Sequence, residues 1–124
     1  MNVKIDTKEK FTVIYPEEKI LSANMSAPLR QLLFSYLKND PPHVIVNLKN
    51  VETADSEILQ LFVEMHEIFY GQNASILWCE INETISSNME KIEKLDCINQ
   101  TPTESEAWDI IQMEEIEREL LKDF

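Results

Sequence analysis

The chain has 124 residues, enough for one domain with a substantial core and too few for two. Hydrophobic residues make up 44% of it, and 11 basic side chains face 23 acidic ones for a formal net charge of -12. That balance excludes a generic binder of phosphate backbones and a protein that docks electrostatically on anionic lipid; partners should present basic or apolar surface.

Val3 and Ile5 alternate with polar residues, Lys8-Glu9-Lys10 breaks the pattern, and Phe11 to Tyr15 is β-rich and stopped by Pro16. This predicts an opening hairpin, with Lys19 to Ala23 as a third short strand. Ser26 then reads as an N-cap, with Pro28 in the first helical turn where its missing N–H costs nothing. Leu29, Leu32, Leu33, Tyr36 and Leu37 follow at helical spacing, and Asn39-Asp40-Pro41-Pro42 ends that helix.

His43 to Leu48 is a short continuous apolar run, the pattern of a strand buried on both faces. The polar stretch Lys49 to Asp55 leads to a second helix beginning near Ser56. Its stripe of Ile58, Phe62, Met65 and Phe69 is flanked by Leu59, Leu61, Val63 and Ile68, which places it deep against a sheet. Gly71, the chain's single glycine, supplies the stop.

Ala74 to Cys79 reads as another buried strand. A third helix carries Ile85, Met89, Ile92 and Leu95 on one face with Asn82 at its cap, and Cys97 to Asn99 reads as a last short strand. Thr103 and Glu106 form a capping box ahead of Ala107 and Trp108, the start of the final helix. The expected fold is α/β: a mixed, mostly parallel sheet of about five strands with an N-terminal antiparallel hairpin and four helices.

Much familiar chemistry is missing. One glycine cannot make a phosphate-cradling loop, and His43 and His66 lack metal spacing to each other or to Cys79 and Cys97. Two cysteines outside a CxxC pair make no disulfide framework and read as buried, reduced thiols. No serine elbow accompanies the abundant carboxylates, and Glu64 and Glu67 read as the solvated side of the second helix. Trp78 and Trp108 read as core anchors, since no basic residues surround them. The start Met1-Asn2-Val3-Lys4-Ile5-Asp6 has no signal-peptide core, and no apolar run is long enough to span a membrane. The expectation is a cytoplasmic, non-catalytic protein without metal or cofactor.

One stretch stands out: the strand at Val44 to Leu48, a loop, the pair Asp55-Ser56, and the aliphatic helix Ile58-Leu59-Gln60-Leu61-Phe62. It resembles the STAS family, the domain shared by sulfate transporters and anti-sigma factor antagonists. The similarity in element order extends over roughly residues 2 to 112, with 113 to 124 as an acidic extension of the closing helix. The resemblance implies a non-catalytic regulatory protein of the anti-sigma antagonist type. Its partner would be an anti-sigma factor that is often also its serine kinase, with Ser56 the phosphoacceptor and Asp55 the supporting acid. Asn24, Ser26, Thr53, Glu57 and Gln60 would form the partner-binding surface. The same resemblance also admits a stand-alone subunit of a membrane transport or lipid-trafficking complex with no phospho-switch. The chain carries Glu57 and Ile58 where the family has a small hydroxyl residue and a glycine, and Asn47 where its strand ends in aspartate. Ile58 is therefore expected to keep a partner from approaching the backbone closely.

The acid is unevenly placed. From Pro102 to Phe124 eight carboxylates face only Arg118 and Lys122, a net of -6. Met113, Ile116, Leu120 and Phe124 still recur there at helical spacing. The first expectation is that this stripe lies over its own domain; the sharper one is a homodimer or partner seam.

Overall fold

The computed structural model describes residues 1–94 and 98–122. Leu95, Cys97 and Phe124, each given a place in the sequence reading, lie outside the described residues.

The opening hairpin is present as β1 (Val3–Thr7) and β2 (Thr12–Pro16), paired antiparallel with Ile5 opposite Ile14. Parallel to β2 runs β4 (Val44–Asn47), then β6 (Ile76–Cys79), then the two-residue β7 (Gln100–Thr101). The main sheet thus has five strands in the order β1-β2-β4-β6-β7. The remaining two, β3 (Ile20–Leu21) and β5 (Thr53–Ala54), form a separate parallel pair. Of the strand expected at Cys97 to Asn99, Cys97 lies outside the described residues and Ile98 and Asn99 precede the strand, which is Gln100–Thr101.

Among the described residues there are four α-helices: α1 (Ser26–Tyr36), α2 (Ser56–Gly71), α3 (Glu83–Met89) and α4 (Glu104–Lys122). The fold is the expected mixed α/β architecture. Alternation along the strands explains why β4 and β6 are buried throughout. Ile14, Val44, Val46, Ile76 and Trp78 belong to the larger core cluster, together with Leu29 and Leu33 of α1, the apolar stripe of α2, and Ile85 and Met89 of α3. Val13, Ile45, Leu77 and Cys79 project to the other face and pack with Ala107 and Ile111 of α4. Among the described residues, three helices therefore cover one face and α4 covers the other.

Both tryptophans anchor aromatic packing. Trp78 is fully buried with its ring centroid 5.0 Å from that of Phe62, and Trp108 stacks on Phe11 at 4.8 Å. Cys79 is fully buried, and burial first, then the carboxylate of Glu104, pushes its thiol up to about 12. It is chemically quiet at neutral pH.

Three local expectations need correction. Ser26 is not an N-cap: a short 3-10 turn, Ala23–Met25, precedes α1, Met25 occupies the cap position, and the Ser26 hydroxyl is buried with no hydrogen-bond partner among the described residues. Gly71 does not stop α2 by a left-handed turn. It is the last helical residue, whereas Asn73 adopts φ 59 and Ala74 N–H returns to the Phe69 carbonyl at 2.9 Å. Asparagine tolerates that region through local hydrogen bonding, so the signal lay two residues later. Third, the apolar stripe of α4 does not lie over the domain: Met113, Ile116 and Leu120 are 58%, 60% and 58% exposed.

The residues that hold the second half of α4 are polar. Ser75 Oγ donates to Glu114 at 2.6 Å and accepts from Arg118 at 3.0 Å, while Asn99 donates to the other Glu114 oxygen at 3.0 Å. His43 joins the seam: its Nδ1 accepts the Ser75 N–H at 3.0 Å, so the ring proton sits on Nε2, 2.8 Å from Glu115. This layer lies at the N-terminal ends of β4 and β6.

Candidate functional site

The Asp55-Ser56 pair sits at the opposite end of the sheet, where β4 leaves it. The chain turns at Val51, whose N–H bonds to the Leu48 carbonyl at 3.0 Å, and runs through β5 into α2. Because β5 pairs with β3, Ile20 opposite Thr53 and Leu21 opposite Ala54, this loop is stitched to the segment that precedes α1. The Glu52 and Thr53 N–H groups both donate to the Lys19 carbonyl, at 2.7 and 3.1 Å, and the Asp55 N–H donates to Leu21 at 2.9 Å.

Asp55 occupies the N-cap position of α2 with extended backbone, yet its side chain caps nothing in that helix. Its backbone carbonyl accepts from Ile58 and Leu59, and its Oδ2 accepts the N–H of Ala23 at 2.8 Å. The carboxylate thus satisfies the start of the turn that opens α1, thirty-two residues earlier in sequence. A residue type chosen for local capping serves here as a tether between two helix starts.

The other side of the loop is held by Asn82. Its Oδ1 accepts the Ile85 N–H at 2.8 Å, the expected cap of α3, while its amide donates to the carbonyls of Val51 and Glu52 at 3.3 and 2.9 Å. One asparagine therefore fixes both the α3 start and the approach to Asp55. Sequence reading found the cap; nothing local signalled the second role.

Ser56 is the first residue of α2 and is exposed. It stands at the positive end of the helix, and Glu57 is the acidic residue of the first turn. Gln60, one turn on, lies on the same exposed side as Ser56, with Glu57 beside them. Across the tether, Asn24 is exposed in the short turn, where its Oδ1 accepts from Ser22 Oγ, and Thr53 is half-buried on β5. Asn24 and Thr53 thus lie on segments tied to the start of α2, while Glu57 and Gln60 lie beside Ser56 on the first turns of that helix. Ser26 does not contribute its hydroxyl, which is turned inward.

Ile58 is fully buried in the larger core. Its bulk fills the space beneath the helix start rather than standing between Ser56 and an approaching surface, contrary to the steric expectation. Asn47 has an equally local explanation. Its Oδ1 accepts the Lys49 N–H at 3.0 Å and its amide donates to Glu104 Oε1 at 3.3 Å, an oxygen that also accepts from the Tyr15 hydroxyl at 2.7 Å. An aspartate here would set a second carboxylate against Glu104. Burial, then Glu104, raises the Tyr15 phenol well above its usual range, so it remains a donor.

Among the described residues no group of three or more His, Cys, Asp or Glu is arranged to hold a metal, and no helix is long and apolar enough to cross a membrane.

The comparisons with known proteins fall on this geometry. The model of the STAS domain matches residues 2–107. No curated protein matches the chain in sequence. Among solved structures, a Thermotoga maritima protein assigned as an anti-sigma factor antagonist superposes with a TM-score of 0.78 at 16% identity, over 89% of this chain and 94% of that one. The Bacillus cell fate determinant SpoIIAA in its phosphorylated form gives 0.65 at 14% identity, over 89% and 99%. The murine anion transporter Slc26a9 gives 0.69 at 11% identity, over 84% of this chain and 18% of that one. At these identities the likeness is one of fold.

Proposed function

The chain belongs to the STAS domain family, and from that premise we propose that it is a non-catalytic regulatory binding protein of the anti-sigma factor antagonist type. Its surface around Ser56 docks an anti-sigma factor with serine kinase activity in the cytoplasm, and phosphorylation of Ser56 releases that partner. The observation that carries this reading is the exposed Ser56 hydroxyl at the start of α2, held on a loop tied to its neighbours by Asp55 and Asn82.

The physics gives the direction of the switch. Phosphorylation adds roughly -1.5 to -2 charges at neutral pH. The helix start favours an anion, whereas Glu52, Asp55 and Glu57 already surround it with exposed carboxylates. A partner that fits a neutral hydroxyl would have to desolvate the new charge, so docking weakens. The proposed domain spans the chain, with a core over residues 2 to 112 and an acidic extension from 113 to 124.

The test is incubation with an anti-sigma kinase and ATP followed by mass spectrometry. Phosphate should appear on Ser56 and vanish in Ser56→Ala, and Ser56→Asp should lower anti-sigma affinity with an unchanged circular dichroism spectrum. Uptake that survives Ser56→Ala would sink the reading. A second reading is supported by the fold likeness to part of an anion transporter: a stand-alone subunit of a membrane transport or lipid-trafficking complex. Co-purification with a permease or ATPase in place of an anti-sigma factor would favour it.

A further inference from the structure

Helix α4 outlasts the family match, which ends at residue 107, and runs on to Lys122. Its inward side is fully committed. Ala107 and Ile111 pack on the sheet, and Glu114 and Arg118 bind Ser75. This fixes which way the rest of the helix faces.

At 3.6 residues per turn, Met113, Ile116 and Leu120 line up on the outer side. All three are more than half exposed. The rim of this ridge is acidic on both sides: exposed Glu106 and Glu117 along one flank, exposed Glu119 along the other, and exposed Asp109 in line below. Of the two basic residues of α4, Arg118 turns away from the ridge to meet Glu114 and Glu115, and Lys122 pairs with Glu119 at 3.3 Å on the exposed end of the helix. An apolar ridge with a predominantly acidic rim is unlike a scatter of exposed leucines, which needs no explanation.

We infer that the outer face of α4 is a docking site for a basic amphipathic helix of another protein, distinct from the surface around Ser56. Charge complementarity selects this occupant. Three apolar side chains offer a seam, and lysine or arginine on the partner's flanks would meet Glu106 and Glu117 and take Glu119 from its exposed pair with Lys122. A second copy of α4 would bring the same carboxylates against each other, and an anionic bilayer would be repelled by them. The ridge therefore discriminates among the three surfaces that could cover it.

The test uses the full chain and a synthetic amphipathic peptide of about 18 residues, with leucines at helical spacing and lysines on both flanks, read by fluorescence anisotropy. A matched peptide with glutamate flanks serves as the control. The lysine peptide should bind saturably and the glutamate peptide should not. Ile116→Ser with Leu120→Ser should weaken binding by about tenfold or more. Glu117→Lys with Glu119→Lys should weaken it similarly and admit the glutamate peptide, while Ser56→Ala changes nothing. Circular dichroism checks that these exposed-site variants remain folded. The proposal is overturned if the lysine peptide fails to saturate, or if its binding is indifferent to both double variants. It is also overturned if sedimentation finds a dimer of the chain that the serine pair dissolves, which would make a second copy the occupant.

Discussion

The Asp55 carboxylate accepts the backbone N–H of Ala23 at 2.8 Å, so the residue beside the candidate phosphoacceptor ties the start of α2 to the turn that opens α1. Asp55→Ala should remove this bond and leave the N–H to water, at a cost of about 0.5–1 kcal/mol. Urea denaturation should show a lower midpoint with an unchanged slope. Asp55→Asn, which keeps an acceptor, should recover part of the loss.

Asn47 gives a second test, because it departs from the family pattern for a reason visible in its contacts. Asn47→Asp deletes the donor to Glu104 and buries a carboxylate beside it. The expected loss is about 1–3 kcal/mol in thermal or denaturant unfolding at pH 7. Pairing the change with Glu104→Gln should restore most of it, since the like charges are then gone.

Gly71→Ala should act in the opposite direction. The glycine ends α2 without a positive φ, and an added Cβ would meet nothing within 4 Å. Alanine lowers the entropy of the unfolded chain, for a gain of roughly 0.4–1 kcal/mol. A fall in melting temperature would contradict this placement.

His43 links the fold to pH. Burial lowers its pKa from the usual value; Glu115 opposes that shift and Arg118 reinforces it, with the neighbouring Glu114 on the side of Glu115. The unfolded chain therefore takes up a proton before the folded chain does. The resulting contribution is present above the unfolded value of 6.5 and is lost as the pH falls from there through the lowered folded pKa. His66 shifts the same way, so His43→Gln should flatten, without abolishing, the drop in urea midpoint between about pH 7 and pH 5. An unchanged pH slope would show that the seam does not titrate.

Most of the architecture was legible from short-range pattern. The apolar run at His43 to Leu48, the stripe from Ile58 to Phe69 and the Thr103-Glu106 box each encode their element through neighbours in sequence. The Thr103 hydroxyl does accept the Glu106 N–H, at 3.2 Å. What stayed hidden depends on residues far apart in the chain. Pairing of Ile20-Leu21 with Thr53-Ala54 is too short to leave a periodic signal. Asp55 looks like any N-cap until Ala23 is brought beside it. The stripe at Met113, Ile116 and Leu120 has the same periodicity as a buried face, and the packing of Ala107 and Ile111 with the pairing of Glu114 and Arg118 to Ser75 turns it outward. Glu114 and Arg118 carry no periodic signal that points to Ser75, so that seam left no trace in composition.

The division of helices between the two faces of the sheet bears on stoichiometry. α2 belongs to the three-helix face and α4 to the other, and the ridge at Met113 to Leu120 lies toward the far end of α4 from its Glu104 start. A protein seated over Ser56 and a helix seated on that ridge would be separated by the thickness of the sheet. Neither would exclude the other, and saturation of one site would leave the affinity of the second unchanged. If both proposals hold, the chain would join two proteins in a ternary complex, with the phosphate governing only one of its two grips.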